Sequence, residues 1–480
     1  MKLSTKVAYN TIIQIISKTI ATALGLVAIA IIARYLGKTG YGQYTTIITF
    51  LSFFGILADL GLTLVTVQMI SQPGANQEKI LGNLFALRLV SAIIFLGIAP
   101  LIVLFFPYEA SIKFGVLITS LSFLFIALNQ ILVGVFQKNL RMDKVSIAEV
   151  VSRIILVIFT YLAVVNNTGL LGILVATILG SLVSFILHFI FSRSFVHIKL
   201  QFDFAYWKKI IKVSWPLAIT IALNLIYLKT DTLLLSVIKR PSDIGIIAEV
   251  GLYGAAYKVI DVLITIPFMF AGIILPILTF RWSNKDTQGF KNILQKSFDI
   301  MVIFALPMII GTQFLAKNVI VLITGNEFEA SGPILQILIF AAGAIFLGCM
   351  FSHAIIAIKK QKEIIGAYIF TAITAFIGYI VLIPRFSYFG AAWITIYSET
   401  FIALASFYLV WKYTRFIPKL NVFLKSLIAS TVMALFIYFC YNSIINSLLI
   451  ILLLAVLIYF VVLFLLKGLT RQDVQDLLNK

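Results

Sequence analysis

Residues 8–33, AYNTIIQIISKTIATALGLVAIAIIA, carry one charged side chain, Lys18, in an otherwise apolar and small-residue run. About 20 such residues cross the ~30 Å hydrocarbon core of a bilayer as a helix, so the stretch reads as a membrane span. The pattern recurs at 43–70, 80–106, 114–137, 146–165, 170–191, 213–238, 250–280, 297–316, 333–358, 364–383, 389–411, 426–441 and 445–466. Hydrophobic residues make up 61% of the 480-residue chain and charged residues 11%, with a mean hydropathy of +1.09. The expected fold class is an all-α polytopic membrane protein of about 14 transmembrane helices.

The basic residues give an orientation. With the N-terminus inside, inner connections carry 25 Lys and Arg, outer ones carry 7, and five lie within spans. Basic residues are retained on the cytoplasmic side during insertion. The bias therefore predicts a multi-pass protein with both termini cytoplasmic and an even number of spans. The net charge of +19 is a topology signal, and nucleic acid is not an expected partner. The first apolar run is too long for a cleaved signal and reads as an anchoring helix. Cys349 and Cys440 lie in apolar spans without metal-type spacing.

Connections are short, leaving no room for a soluble catalytic domain. The longest polar stretch, 192–212 (SRSFVHIKLQFDFAYWKKIIK), places Phe204, Trp207 and Ile211 at helical spacing beside Lys208, Lys209 and Lys212. It reads either as a short basic helix on the inner leaflet or as an ordinary retained loop. Thr470 and Asp473 have capping-box spacing in the tail. The Gly40–Tyr44 segment GYGQY, followed by a helix with Asp59, resembles GLYGAAY at 251–257, followed by Asp261. A six-helix offset implies parallel repeats related by an axis along the membrane normal. The expected organisation is an N-terminal six-helix lobe (1–195), a cytoplasmic amphipathic linker (196–212) and a C-terminal six-helix lobe (213–415). Accessory helices 13 and 14 with a cytoplasmic tail (416–480) complete it. Two pseudo-symmetric lobes facing a central cavity is the expected shape.

Ionisable residues inside spans are expensive, roughly 2.5–3.5 kcal/mol each at a helix centre. Lys18, Asp59, Arg88, Glu149, Arg153, Lys229, Asp231, Lys258 and Asp261 must therefore pair, line water or lie near an interface. Glu149 with Arg153 and Lys258 with Asp261 have self-neutralising spacing. Lys18 belongs to a stripe of Thr11, Gln14, Lys18, Thr22 and Gly25; Asn224 and Asp231 share another with Thr220 and Tyr227. Lys18 and Arg88 have no acid in their own helices, which points to a cavity and to phosphate-bearing ligands. Gln14, Asp59, Asn224, Asp231, Lys258 and Asp261 are further cavity or ion-coupling candidates.

Motifs for covalent chemistry are missing. Gly37, Lys38 and Thr39 end like a Walker A loop, but Ile32 stands where its first glycine belongs. No HExxH or GxSxG occurs, and the three histidines are scattered. No catalytic residue, metal site or cofactor is expected, and the driving force would be a substrate, proton or sodium gradient.

Several segments together carry a resemblance: ARYLGKTGYG at 33–42, ADLGL at 58–62, YLKTDTLLL at 227–235, and EVGLYGAAYKVID at 249–261 followed by Pro267 and Pro276. Over roughly residues 1–415 the chain resembles the polysaccharide-repeat (O-antigen repeat-unit) flippases of the multidrug/oligosaccharidyl-lipid/polysaccharide (MOP) superfamily. The resemblance implies a two-lobed transporter moving an undecaprenyl-pyrophosphate-linked oligosaccharide to the outer leaflet by alternating access. It also implies membrane lipids and polysaccharide polymerase and ligase machinery as partners, and a cationic cavity matched by Lys18 and Arg88. A drug or cation exporter of the same superfamily shares the fold but prefers an acidic cavity. A membrane glycan polymerase or glycosyltransferase would need a larger outer loop.

Overall fold

In hydrocarbon no water satisfies a backbone N–H or C=O, so apolar runs of this length must form helices that bond internally. The computed structural model describes residues 3–72, 76–443 and 447–468, the side chains of 3–9, 11–12, 64, 216–217, 219–228 and 441–443 excepted. Thr470 and Asp473 lie outside the described residues, as do the side chains of Thr11, Thr220, Asn224 and Tyr227.

The helices are α1 (Leu3–Asp59), α2 (Leu62–Ile70), α3 (Gln77–Ile102), α4 (Ala110–Lys138), α5 (Met142–Val165), α6 (Gly169–Ser192) and α7 (Phe204–Val237). They continue with α8 (Ile246–Leu263), α9 (Thr265–Ser283), α10 (Thr287–Thr324), α11 (Ser331–Ala357), α12 (Gln361–Thr414), α13 (Asn421–Ser443) and α14 (Leu448–Leu465). Among the described residues, eleven helical stretches are long and apolar enough to cross a membrane. Two of these take in more than one expected span: Gln361–Thr414 contains 364–383 and 389–411, and Ile13–Asp59 runs from the first expected span into the second. Helical geometry is interrupted at Gly37 in the first and at Ser387 in the second.

Two compact units divide the chain: Met1–Gly251 with Ile323–Gly325, and Leu252–Leu322 with Asn326–Lys480. In the first unit α1 packs along α5, α4, α3 and α7. One core cluster joins Leu62, Leu84, Leu132, Phe136, Trp207 and Ile210; another joins Ile47, Phe50, Leu51, Val103 and Ile112. α7, expected to open the second lobe, belongs to this unit because Trp207 and Ile210 enter its core and Ser236 lies 2.6 Å from the Tyr108 hydroxyl. The amphipathic linker is also not a separate helix. Residues 195–203 are not helical, and Lys208, Lys209 and Lys212 stand on the first turns of α7.

The second unit centres on α11 and α12, with Phe290, Met301, Phe346, Phe351 and Val410 in its core. α13 and α14 pack on α10 through Ile303, Leu315, Met433 and Tyr459. A buried polar contact pins the pair: the Tyr459 hydroxyl donates to the Ile303 carbonyl at 2.7 Å and lies 2.6 Å from Ser426 Oγ. Leu453 and Leu465 remain exposed, as suits a lipid-facing helix.

Within the first unit, the glycine motifs that resemble each other in sequence also touch. A Cβ on Gly42 would lie 1.8 Å from the Ile247 carbonyl oxygen, and one on Gly251 would lie 2.0 Å from that of Lys38. Neither obstacle is a flexible side chain, so α1 and the start of α8 must separate to admit a methyl group. Gly42→Ala and Gly251→Ala are each expected to destabilise the protein by about 1–3 kcal/mol or more, read by thermal unfolding in detergent. Gly97→Ala, where nothing lies within 4 Å, should unfold at or slightly above the wild-type temperature.

Candidate functional site

The expected second span does not continue as one helix. α1 ends at Asp59, Leu60 and Gly61 adopt φ of 48° and 74°, and α2 begins at Leu62. Such a break strips the last carbonyls of α1 of their helical donors. Arg88 and Ser91, one turn apart on α3, replace them. Arg88 Nη1 and Ser91 Oγ donate to the Ala58 carbonyl at 3.0 and 2.8 Å. A cation at a helix C-terminus also opposes the helix dipole favourably.

The rest of the guanidinium is equally occupied. Nη1 donates to Asp59 Oδ1 at 2.6 Å, Nε to the Ala127 carbonyl of α4 at 3.0 Å, and Nη2 to Gln130 Oε1. Thr63 Oγ1 donates to the same Asp59 oxygen at 2.5 Å. Arg88 is 1% exposed. Against the expectation that Arg88 faces a cavity and holds an anionic ligand, in this structure four of its five N–H donors are bonded to protein acceptors inside the first unit. Its acid was missed because it lies 29 residues away on another helix, beyond the reach of same-helix spacing. Asp59 is likewise a structural counter-ion here and not an open cavity group.

Lys18 presents the opposite case. Gln14 and Lys18 are exposed, Thr22 is half-buried, and nothing lies within 4 Å of a Cβ built on Gly25. No ion pair joins Lys18 to a described acid. The adjoining face of α1 is the packed one. Ser17 Oγ lies 2.7 Å from Ser146 Oγ, while Asn10 donates to the Leu140 carbonyl at 2.7 Å and accepts from the Met142 N–H at 2.9 Å. The polar surface of α1 thus divides into a glued edge and an open one, with Lys18 on the open edge.

The other candidates are dispersed. Asp231 is buried in α7, where its Oδ1 accepts from the N–H and hydroxyl of Thr232 at 2.5 and 3.1 Å. Lys258 and Asp261 on α8 approach to 3.8 Å with side chains 42% and 32% exposed, a pair worth little by itself. The side chain of Asn224 is outside the described residues. Two features escaped the sequence reading. Arg240 and Glu249, assigned there to an outer connection, form a buried pair in which Nη1 also donates to the Leu235 and Ile238 carbonyls at 2.8 and 2.9 Å. The available signal was two opposite charges flanking the Pro241–Gly245 turn. Glu399, near the middle of the second half of α12, is also buried. Among the described residues no group of three or more His, Cys, Asp or Glu could hold a metal ion.

This division of roles is measurable as stability. Asp59→Ala leaves a buried guanidinium uncompensated and should cost about 3–5 kcal/mol. Lys18→Ala, on an exposed position, should stay within about 0.5 kcal/mol of wild type. Thermal unfolding of the two variants side by side checks both values; equal effects would contradict the assignment.

Comparison with known proteins agrees with this architecture. Residues 7–280 match the family described as "Polysaccharide biosynthesis protein". The capsular polysaccharide biosynthesis protein CapF of Staphylococcus aureus is 26% identical over 304 residues, 62% of this chain and 74% of that protein. Among solved structures, the lipid II flippase MurJ in an inward closed conformation superposes with a TM-score of 0.76 at 19% identity, covering 94% of this chain and 98% of that one. An inward-facing multidrug resistance MATE transporter of the MOP superfamily superposes with a TM-score of 0.67 at 14% identity, covering 82% and 94%. With its matched region spanning more than half its length, the chain belongs to the polysaccharide biosynthesis protein family, built on the helical fold that MurJ and the MATE transporters share.

Proposed function

We propose that the protein is a flippase, not an enzyme, that carries undecaprenyl-pyrophosphate-linked oligosaccharide repeat units from the cytoplasmic to the outer leaflet by alternating access. Its place is the bacterial or archaeal inner membrane, with both termini cytoplasmic, supplying the polymerase and ligase steps of polysaccharide assembly. Family membership and the MurJ-like fold support a lipid-linked cargo. The observation that carries the reading is Lys18: a lysine in a membrane helix, exposed on an open polar edge and joined to no described acid.

An ammonium there would cost roughly 2.5–3.5 kcal/mol if lipid covered it. A hydrated passage that receives a pyrophosphate removes the cost and uses the charge. With Arg88 committed to the α1 break, head-group contact falls to Lys18, assisted by Gln14 one turn away. The membrane potential contributes to the direction of transport: outward movement of each negative charge is favoured by roughly 2.3 kcal/mol per 100 mV, inside negative. Asp231 and Asp261, with Lys258 and Asn224 on the same helices, are the groups through which a proton or sodium gradient would act.

Reconstituted vesicles carrying a fluorescent lipid-linked oligosaccharide, with and without a proton or sodium gradient, test the reading. Wild type should translocate the cargo, Lys18→Ala should lose at least about ten-fold of the rate, the equivalent of 1.4 kcal/mol, and Lys18→Arg should retain most of it. Unchanged translocation by Lys18→Ala would remove the head-group role. Efflux of cationic dyes without oligosaccharide transport would instead favour an exporter on the same fold.

A further inference from the structure

We infer that the first turns of α7 form a binding surface for acidic phospholipid head groups. The surface has three sectors. At about 100° per residue, Trp207, Ile210 and Ser214 share a face of about 60°, and all three are buried. Phe204, Ile211 and Trp215 fall within about 40° of one another on a second face, and all three are exposed, Phe204 to 72%. Lys208, Lys209 and Lys212 fill the adjoining sector and are exposed.

This end of the helix is held in place from the other side. Asp203 caps it, accepting from the Tyr206 N–H at 3.0 Å, while its own N–H donates to Asn83 Oδ1 at 3.0 Å. Gln201 donates its N–H to the Gly82 carbonyl at 3.3 Å and accepts from Asn83 Nδ2 at 3.2 Å. Lys79 lies 3.4 Å from Asp203 Oδ2. The Tyr206 N–H, ahead of Lys79, holds the Asp203 carboxyl below the usual carboxylate range. That acid is thus spoken for by its own helix end, and no ion pair joins Lys208, Lys209 or Lys212 to a described acid.

Length places the patch at the phosphates. The 34 residues of α7 extend about 51 Å at ~1.5 Å each, against a hydrocarbon core of ~30 Å. A charge-free run, 213–228, begins after Lys212, so the charged excess of the helix includes its lysine end. Exposed aromatic rings beside lysines match the boundary between acyl chains and head groups, and anionic lipid is the partner whose charge the lysines complement. The assignment to the inner leaflet rests on the proposed orientation; the binding chemistry does not.

Native mass spectrometry of the full chain in detergent, titrated with phosphatidylglycerol or phosphatidylcholine, tests the inference without cargo or vesicles, so a failure here is separate from a failure of transport. Phosphatidylglycerol should bind at least about ten-fold more tightly. The K208Q/K209Q/K212Q variant should lose that preference while unfolding at the wild-type temperature, and K285Q/K291Q/K362Q, with the same loss of charge elsewhere, should keep it. Equal affinity for the two lipids in the wild type, a preference that survives K208Q/K209Q/K212Q, or equal loss in both variants would overturn the inference.

Discussion

A helix interrupted inside a membrane must find new partners for the backbone groups it exposes, and here they come from Arg88 and Ser91 of α3. Arg88 reaches from α3 to the Ala58 carbonyl and the Asp59 carboxylate at the end of α1, and from there to Ala127 and Gln130 on α4. Three helices of the first unit are fixed by a single guanidinium whose planar fork can serve several acceptors in one plane, which a lysine ammonium cannot do. Desolvating such a pair is costly, and its attraction and hydrogen bonds must repay that cost. The return is a defined break at Leu60 and Gly61, which sets where α2 starts and how α1 runs past α5 and α7.

That arrangement separates two cations with the same appearance in sequence. Both stand in apolar helices without an acid at helical spacing. Arg88 is enclosed by acceptors, whereas Lys18, beside the buried Ser17, is exposed. The difference is structural: one charge maintains the shape of the first unit, and the other stays exposed on the surface of α1.

Much of the architecture was legible because bilayer physics constrains it tightly. Runs such as 8–33 and 114–137 are bound to form helices in a bilayer, and the small-residue segments at 33–42 and 249–261 marked a family that residues 7–280 confirm. Legibility stopped where contacts join distant parts of the chain. The Arg88–Asp59 bond, the Asn10 link to Leu140 and Met142, and the Tyr459 anchor on Ile303 each connect different helices. No same-helix periodicity encodes such pairs. The basic stretch at 192–212 was recognised, but its continuity with α7 depends on Asn83 and Gly82 receiving residues 201–203, again a contact across helices.

The proposal that Lys18, and not Arg88, meets the cargo can be tested by amine labelling of Lys18 in the wild-type protein, quantified by mass spectrometry with and without undecaprenyl-pyrophosphate-linked oligosaccharide. Lys18 should be readily modified in the absence of cargo and strongly protected in its presence, with exposed lysines such as Lys285 unaffected. A Lys18 that reacts to the same extent in both conditions would contradict it.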